Sequence, residues 1–239
     1  MSGLAGELNT AATDSLLAML DLSSHRVEFV DRMASARNLV VSGEQTVNTS
    51  GDISRETRGL AVVLTFAAYE NLIKKLSISI LEEVGRSRAK NRRLRPGYKL
   101  IATKSLFQSL IAKGDKSLWT GTGMKLMEMA TSPTHLNVRS NVWPDDGSYM
   151  KRSQVVTLCT VFGFSDPSIP LDRIWSNFDG VVSRRNAIAH GQRRADEVGR
   201  DYSFNEVMQT LDNWEFSWCK FIDWVENQCV DSTFYLLPR

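Results

Sequence analysis

The last part of the chain carries an apolar pattern that fits one face of a long helix. Large apolar residues after Ser203 recur every three or four positions, the period of a buried α-helical stripe. They are Val207, Leu211, Trp214, Trp218, Phe221, Ile222 and Val225. Ser203 and Glu206 have the spacing of a capping box, so we expect the helix to begin there. A stripe this broad must pack against other helices, and we interpret its aromatic residues as core.

The longest helical segment is predicted over residues 54–84, and Gly85 follows it as a natural stop. One line along this helix is mostly apolar and is expected to face the core. It consists of Leu60, Val63, Leu64, Ala67, Asn71, Lys74 and Ile78, and is widened by Leu72, Leu76, Ile80 and Leu81.

Shorter helices are predicted on both sides of this segment. Their expected ranges are 14–20, from Ser23 or Ser24 to about Leu39, 104–112, 123–130, 153–162, and from Leu171 to His190. Polar, Gly- or Pro-bearing stretches predict loops at 42–52 and 192–201, a turn at Arg95-Pro96-Gly97, and an irregular insertion at 131–148. The prediction is an all-α helical bundle with a basic loop and an irregular insertion. It forms a single domain over 1–239, with N-terminal helices in 14–84, the basic loop and insertion in 86–150, and the last helices in 151–228.

Composition favours an ordinary globular protein of the cytoplasm. The chain is 42% hydrophobic and 23% charged, and its N-terminus lacks the pattern of a signal peptide. No apolar stretch approaches the roughly 20 residues of a membrane span. The three cysteines are odd in number and lack metal-ligand spacing, which favours a reducing compartment.

Basic residues are concentrated between Val84 and Lys113, where nine Lys or Arg occur without any acidic residue. Arg92, Arg93 and Arg95 form the densest part of this segment. Such a block is typical either of a solvated loop or of an RNA-binding surface. Tyr98 and Phe107, interleaved with the basic residues, would support base stacking.

The stretch Arg184-Arg185-Asn186-Ala187-Ile188-Ala189-His190-Gly191 combines the side chains that phosphodiester chemistry needs. Arginine offers a permanent forked cation to phosphate oxygens, and histidine exchanges a proton near neutral pH. At about 100° per residue, Asn186 and His190 share one face of a helix. Gly191 is expected to end that helix and to leave His190 in its last turn. There the helix dipole favours the imidazolium by roughly 0.3–1 kcal/mol.

These residues resemble the motif of the HEPN superfamily, R-x4–6-H, in which a polar residue commonly follows the arginine. Arg185 and Arg184 both satisfy the spacing to His190, but only Arg185 is followed by an amide, Asn186. The form R-N-A-I-A-H-G is most similar to the toxin-type and RiboL-PSP-type branches. Residues 67–72 in the long helix are also similar to a core helix of the superfamily.

The resemblance implies an endoribonuclease, a toxin or antiphage effector, that works without a metal ion or other cofactor. Attack by the 2′-hydroxyl would leave a 2′,3′-cyclic phosphate and a 5′-hydroxyl. His190 would act as the acid or base, Arg185 would hold the phosphoryl oxygens, and Asn186 would orient the imidazole or bind phosphate. Candidates for RNA binding are Arg184, Arg193, Arg194, Arg92, Arg93 and Arg95, although Arg193 and Arg194 fit solvated loop charges equally well. Glu70 is expected to form an ion pair with Arg184 or Arg185.

The reaction needs both an acid and a base, whereas each motif supplies one histidine. His25 and His135 lie in segments without comparable neighbours. We therefore expect a homodimer with a composite site, and the small Ala187 and Ala189 would allow two copies to approach. HEPN ribonucleases are similar in this respect. An antitoxin or defence-system protein is a further possible partner, beside the RNA substrate.

Two other interpretations stay open at this point. In the first, the chain is a non-catalytic HEPN module whose Arg/His pocket binds a nucleotide, RNA or a protein. In the second, it is a helical scaffold without a ligand. Metalloprotease and P-loop chemistry are disfavoured, because HExxH and Walker patterns do not occur in the sequence.

Overall fold

The computed structural model describes residues 20–46, 51–114, 116–135, 138–142 and 151–237. These residues form eleven α-helices and contain isolated bridges but no strand, which confirms the predicted all-α class. The helices are α1 Ser23–Gln45, α2 Gly51–Arg86, α3 Pro96–Ala102, α4 Lys104–Lys113, α5 Lys116–Trp119, α6 Gly121–Thr131, α7 Arg152–Phe162, α8 Asp172–Trp175, α9 Phe178–Ala189, α10 Ala195–Gly199 and α11 Phe204–Gln228. Residues 14–19 of the first predicted helix, and residues 136, 137 and 143–148 of the predicted insertion, lie outside the described residues.

The core is built by α1, α2, α9 and α11 around a group of aromatic rings. Tyr69 of α2 lies 5.4 Å from the ring of Phe178 in α9, and 5.8 and 4.7 Å from Trp214 and Trp218 in α11. All seven residues of the predicted α11 stripe are buried. The capping box is present as well. Glu206 accepts from the Ser203 amide at 2.7 Å, and Ser203 Oγ accepts from the Glu206 amide at 3.3 Å.

The orientation predicted for α2 was wrong. Leu60, Leu64 and Ile78 of the predicted line are 37%, 38% and 37% exposed, whereas Phe66 and Tyr69 are buried. Apolar residues occur on most sides of this helix, so their period did not determine which side meets the core. The bulky aromatic residues lie on the side that α9 and α11 cover, and the line through Leu60 faces outward. The residues expected to widen the stripe, Leu72, Leu76, Ile80 and Leu81, are buried as predicted.

Three predicted boundaries also differ from the structure. Helices α1 and α2 occupy both ends of the loop predicted over 42–52. The helix predicted from Leu171 into the motif is divided into α8 and α9 by Ser176 and Asn177. The loop predicted over 192–201 contains α10, which packs against the start of α2.

The basic segment begins as the predicted loop, since residues 87–95 connect α2 to α3 with one 3-10 turn, Asn91–Arg93, but the turn predicted at Pro96 was wrong. Pro96 occupies the first turn of α3, where its missing amide hydrogen costs nothing. Tyr98 is buried, and its hydroxyl donates to the carbonyl oxygen of Phe162 in α7 at 3.1 Å. Its ring is therefore part of the core, which removes the stacking role suggested for it. The helices expected over 104–112, 123–130 and 153–162 are confirmed as α4, α6 and α7.

Candidate active site

Helix α9 presents the Arg185–His190 motif because its first turns are anchored in the core. Phe178, Val181 and Val182 are buried, and the Phe178 ring stacks on Trp214 at 5.2 Å. Arg185 follows Phe178 and Val182 on the same face, at the i+7 and i+3 positions. The core contacts therefore direct its side chain across α9 toward α2.

The guanidinium of Arg185 is held by contacts on two helices. Its Cζ atom lies 4.3 Å from the centroid of the Phe66 ring in α2, which is cation–π geometry. Its Nη1 donates to Oδ1 of Asn186 at 3.0 Å, and its Nη2 lies 4.0 Å from Oε2 of Glu70. The side chain is still 31% exposed, so a phosphate can reach a cation whose orientation is already set.

Asn186 and Glu70 support the arginine in different ways. The side-chain carbonyl oxygen of Asn186 accepts from Arg185, which makes this amide a positioning group for the guanidinium. Glu70 forms its closer ion pair with Lys74, at 2.9 Å, and Arg185 lies at the limit of pairing. The pairing expected between Glu70 and Arg185 is therefore present, but Glu70 neutralises Arg185 only weakly.

His190 is the residue at which α9 ends. Its amide donates to the Asn186 carbonyl at 2.9 Å, while Gly191 takes the left-handed conformation with φ of +67°. The amides of Gly191 and Gln192 donate to the carbonyls of Ile188 and Ala187 at 3.0 and 2.8 Å, a Schellman stop. The predicted role of Gly191 is thereby confirmed. His190 is exposed, and among the described residues no group forms a hydrogen bond with its ring nitrogens.

Arg184 lies on another side of α9, although it precedes Arg185 directly. Its Nε is 3.7 Å from Oδ2 of Asp201, and its Cζ lies 5.0 Å from the centroid of the Tyr202 ring. On a helix it is turned by about 100° from Arg185 and about 200° from Asn186. The structure therefore groups Arg185, Asn186 and Glu70 on the α2 side of α9, and places Arg184 toward the start of α11.

Arg193 and Arg194 follow the motif but are engaged in ion pairs of their own. Arg193 donates to both carboxylate oxygens of Asp201 at 2.8 and 3.1 Å. Arg194 donates to both oxygens of Asp196 at 2.8 Å, while its side chain is 76% exposed. The hydrogen bond with Arg193 lowers the pKa of Asp201, so this carboxylate stays ionised. Both arginines therefore fix the α9–α11 connection, and phosphate binding by them stays a prediction.

Arg92, Arg93 and Arg95 are far from the motif. Arg93 and Arg95 donate to the carbonyl oxygens of Leu237 and Leu236, beyond the end of α11, at 3.2 Å each. Arg184 lies at the other end of that helix, whose 25 residues span about 37 Å. Arg92 is exposed beside Arg93. Any RNA contact made by these residues would therefore involve a strand that extends well beyond the motif.

Sequence reasoning missed the aromatic residues that hold the two arginines. Phe66 precedes Glu70 by four positions on α2, so the i, i+4 rule applied to Glu70 would have identified it. Tyr202 and Asp201 come from the turn before α11, and their meeting with Arg184 depends on how that turn folds back. No local sequence signal predicts that contact.

The described residues bring no three His, Cys, Asp or Glu side chains together in a group suited to a metal ion. In the same part of the chain, no helix has the length and apolar character required to cross a membrane.

Comparison with protein families finds a match that covers residues 21–213. The matching model is described as HEPN_MAE_28990-like HEPN, and the matched range contains the whole of α1 to α10 and the Arg185–His190 motif. Searches of curated proteins and of solved structures find no match.

Proposed function

The chain belongs to the HEPN_MAE_28990-like HEPN family, and from this membership we propose that it is an endoribonuclease that cleaves RNA without a metal ion. Membership by itself indicates a function in RNA cleavage or nucleotide binding. The observation that carries the finer proposal is the state of the motif: Arg185 is oriented by Phe66 and Asn186, and His190 is exposed at the end of the same helix.

In the proposed reaction, a 2′-oxygen of RNA forms a bond to the adjacent phosphorus while the bond from phosphorus to the 5′-oxygen breaks. A base removes the proton of the 2′-hydroxyl, and an acid gives a proton to the leaving 5′-oxygen. The products are a 2′,3′-cyclic phosphate and a 5′-hydroxyl. Arg185 stabilises the charge that grows on the non-bridging oxygens, a role that its prior orientation favours.

One motif supplies a single imidazole for two proton transfers, so we propose that two copies of the chain form one composite site. An apolar surface beside the motif supports this pairing. The outer face of α2, next to the side that meets Arg185, leaves Leu60, Leu64 and Ala67 exposed. A second copy would cover these residues, and burial of such surface stabilises association by about 25 cal/mol per Å².

One observation favours the alternative of a non-catalytic nucleotide-binding module. Catalytic histidines are usually oriented through their second ring nitrogen, whereas no described residue forms a hydrogen bond with the ring of His190. In the alternative, Arg185 binds a phosphate and no bond is broken.

The test is incubation of the purified protein with single-stranded RNA in EDTA, beside His190→Ala and Arg185→Ala variants. Arg32→Ala is a matched control, since Arg32 is an exposed arginine of α1 whose ion pair is with Glu28. We expect cleavage by the wild type and by the control, with 5′-hydroxyl ends that polynucleotide kinase labels directly. Both motif variants should lose about 100-fold or more of the rate.

Unchanged cleavage by His190→Ala would contradict the proposal, and binding of RNA without cleavage by the wild type would support the module. The proposal also includes a role as a toxin or antiphage effector. Expression of the wild type should then arrest bacterial growth, and His190→Ala should relieve the arrest.

A further inference from the structure

A second concave surface lies on the side of α9 that faces away from Asn186 and His190. It is a cleft of about 200 Å³ between α8, α9 and the start of α11. Its polar lining consists of Arg173, Asn177, Arg184, Tyr202, Thr210 and Asn213, and Trp214 and Ile174 close it on the core side. None of these residues belongs to the Arg185–His190 motif, and Arg184 is turned by about 100° from Arg185.

Two arginines line this cleft, and the guanidinium of each lies over an aromatic ring. Arg173 of α8 has its Cζ atom 3.7 Å from the centroid of the Phe216 ring, and Arg184 lies 5.0 Å from that of Tyr202. No described carboxylate pairs with the Arg173 guanidinium, and the Asp201 contact of Arg184 is long, at 3.7 Å. Stacking leaves the N–H groups at the edge of each guanidinium free to donate to an anion.

Side-chain amides add neutral donors and acceptors to the same cleft. Within the described part of the chain, neither the Asn177 amide nor the Asn213 amide has a hydrogen-bond partner. Asn177 is exposed and Asn213 is half-buried, so both amides are open to a ligand in the cleft.

The cleft continues into a second space of about 340 Å³, which shares Asn177, Tyr202, Thr210 and Asn213 as lining residues. Here Asp201 and Glu206 bring carboxylates to the lining. Hydrogen bonds to Arg193 and to the Ser203 amide lower the pKa of Asp201 and Glu206, respectively, so both stay ionised near neutral pH. Cations therefore line the first space and carboxylates line the second, and the two meet where Arg184 lies 3.7 Å from Asp201.

This order of charges matches a ribonucleotide, and we propose that the cleft binds one. Its phosphate lies against Arg173 and Arg184, where forked cations suit phosphate oxygens. Its sugar hydroxyls donate to Asp201 and Glu206, as ribose hydroxyls do to carboxylates in other nucleotide sites. An inorganic anion would contact only the two arginines, and a 2′-deoxyribonucleotide lacks one of the hydroxyl donors. Both should therefore bind more weakly than the ribonucleotide.

The site does not depend on the proposed ribonuclease activity, and it admits two sources for the same chemical group. The ribonucleotide is either a free small molecule or one unit of an RNA strand that continues from the motif. Adjacent positions on α9 carry Arg184 to the cleft and Arg185 to the motif, so a strand crossing the end of α9 passes both.

The test uses the full chain with His190→Ala, so that added RNA survives, and measures binding by isothermal titration calorimetry. The probes are adenosine 5′-monophosphate, its 2′-deoxy form, inorganic phosphate and a ten-nucleotide RNA. Arg173→Gln and Asn213→Ala are the site variants. Arg32→Gln is the control, an exposed arginine on α1 that does not line the cleft. Circular dichroism verifies that each variant is folded.

We expect the ribonucleotide to bind more tightly than the deoxy form and phosphate, and Arg173→Gln to weaken it about tenfold, with the control unchanged. If the mononucleotide does not bind but Arg173→Gln weakens RNA binding by that factor, the ligand is a unit of the strand. The inference is overturned if Arg173→Gln changes neither the affinity for the mononucleotide nor the affinity for RNA. It is also overturned if inorganic phosphate binds as tightly as the ribonucleotide. Cleavage of RNA by the wild type is scored separately, so either proposal can fail while the other stands.

Discussion

Glu28 is a partly exposed carboxylate on α1 that joins this helix to α2. It accepts hydrogen bonds from Arg32 at 2.9 Å and from Asn71 at 3.0 Å, and it forms an ion pair with Lys75 of α2. The bond with Lys75, followed by that with Arg32, lowers the pKa of Glu28 to about 2. A carboxyl whose pKa is lower in the folded state stabilises the fold at pH values above its unfolded pKa.

Replacing Glu28 by Gln is therefore expected to reduce stability at pH 7 and to have a smaller effect in acid. The contribution of Glu28 is complete above about pH 5 and is lost as the pH falls toward 2. Because the Glu28–Lys75 ion pair is partly exposed, we expect the free energy of unfolding to differ by at most about 1 kcal/mol at pH 7. Urea unfolding at pH 7 and pH 3 measures it, with Glu56→Gln as an exposed control. An equal difference at both pH values would contradict the assigned cause.

Single residues of the motif could be predicted from sequence, because their relation is local to one helix. The spacing of Arg185, Asn186 and His190 determines their order around α9, and Gly191 marks the stop. The Phe66 ring beneath Arg185 and the Asp201 carboxylate beside Arg184 belong to other elements. Their positions follow from how whole helices pack, which a residue pattern within α9 does not contain.

At the scale of elements, the contact between α2 and α10 requires a very close backbone approach. A Cβ atom at Gly59 would lie 1.9 Å from the carbonyl oxygen of Ala195, and one at Gly199 would lie 1.8 Å from the carbonyl oxygen of Arg55. Backbone atoms cannot move aside as a flexible side chain can. The two glycines therefore allow α10 to pack on α2, and α10 in turn supports the connection that follows the motif.

Gly59→Ala is expected to destabilise the protein by about 2 kcal/mol or more, because the added methyl group forces the helices apart. Gly121→Ala is the matched control, since a Cβ atom there meets nothing within 4 Å. That control should leave stability unchanged or raise it by up to about 1 kcal/mol. Chemical denaturation measures the free energy of unfolding of both variants. A Gly59 variant as stable as the control would contradict the packing argument.

Helix identities were easier to predict than helix orientations. The stripe of α11 has one clearly apolar side, and its burial followed from the pattern. Along α2, Leu60 and Leu64 lie on one side of the helix and Phe66 and Tyr69 on another. Both sides are apolar, so the pattern fits more than one buried face. The break at Ser176–Asn177 and the short α10 depend on tertiary contacts, which explains why a continuous helix and a loop were predicted instead.

The whole molecule presents its motif on an open surface, where Ala189, His190 and Gly191 are all exposed. If two copies meet at this surface, Ala189→Cys should form a disulfide across the two-fold axis under mild oxidation, since bridged Cα atoms lie about 4.4–6.8 Å apart. We expect a covalent dimer on a non-reducing gel. Ala112→Cys, exposed on α4, is the control and should remain monomeric on that gel.

Light scattering on the unmodified protein completes this test. A dimer in solution that Ala189→Cys does not cross-link would place the two-fold axis elsewhere. A monomer would remove the composite site.

Arg184 and Arg185 are turned by about 100° from each other on α9 and reach different surfaces, which has a consequence for communication within the molecule. A single peptide unit separates the backbone of a cleft residue from that of a motif residue, on a helix anchored by Phe178. Any small rotation or shift of α9 therefore reaches both surfaces at once. If a ligand in the cleft changes the affinity of the motif for RNA, then RNA must change the affinity for that ligand by the same factor. Helix α9 would then couple the binding of an effector in the cleft to the binding of RNA at the motif.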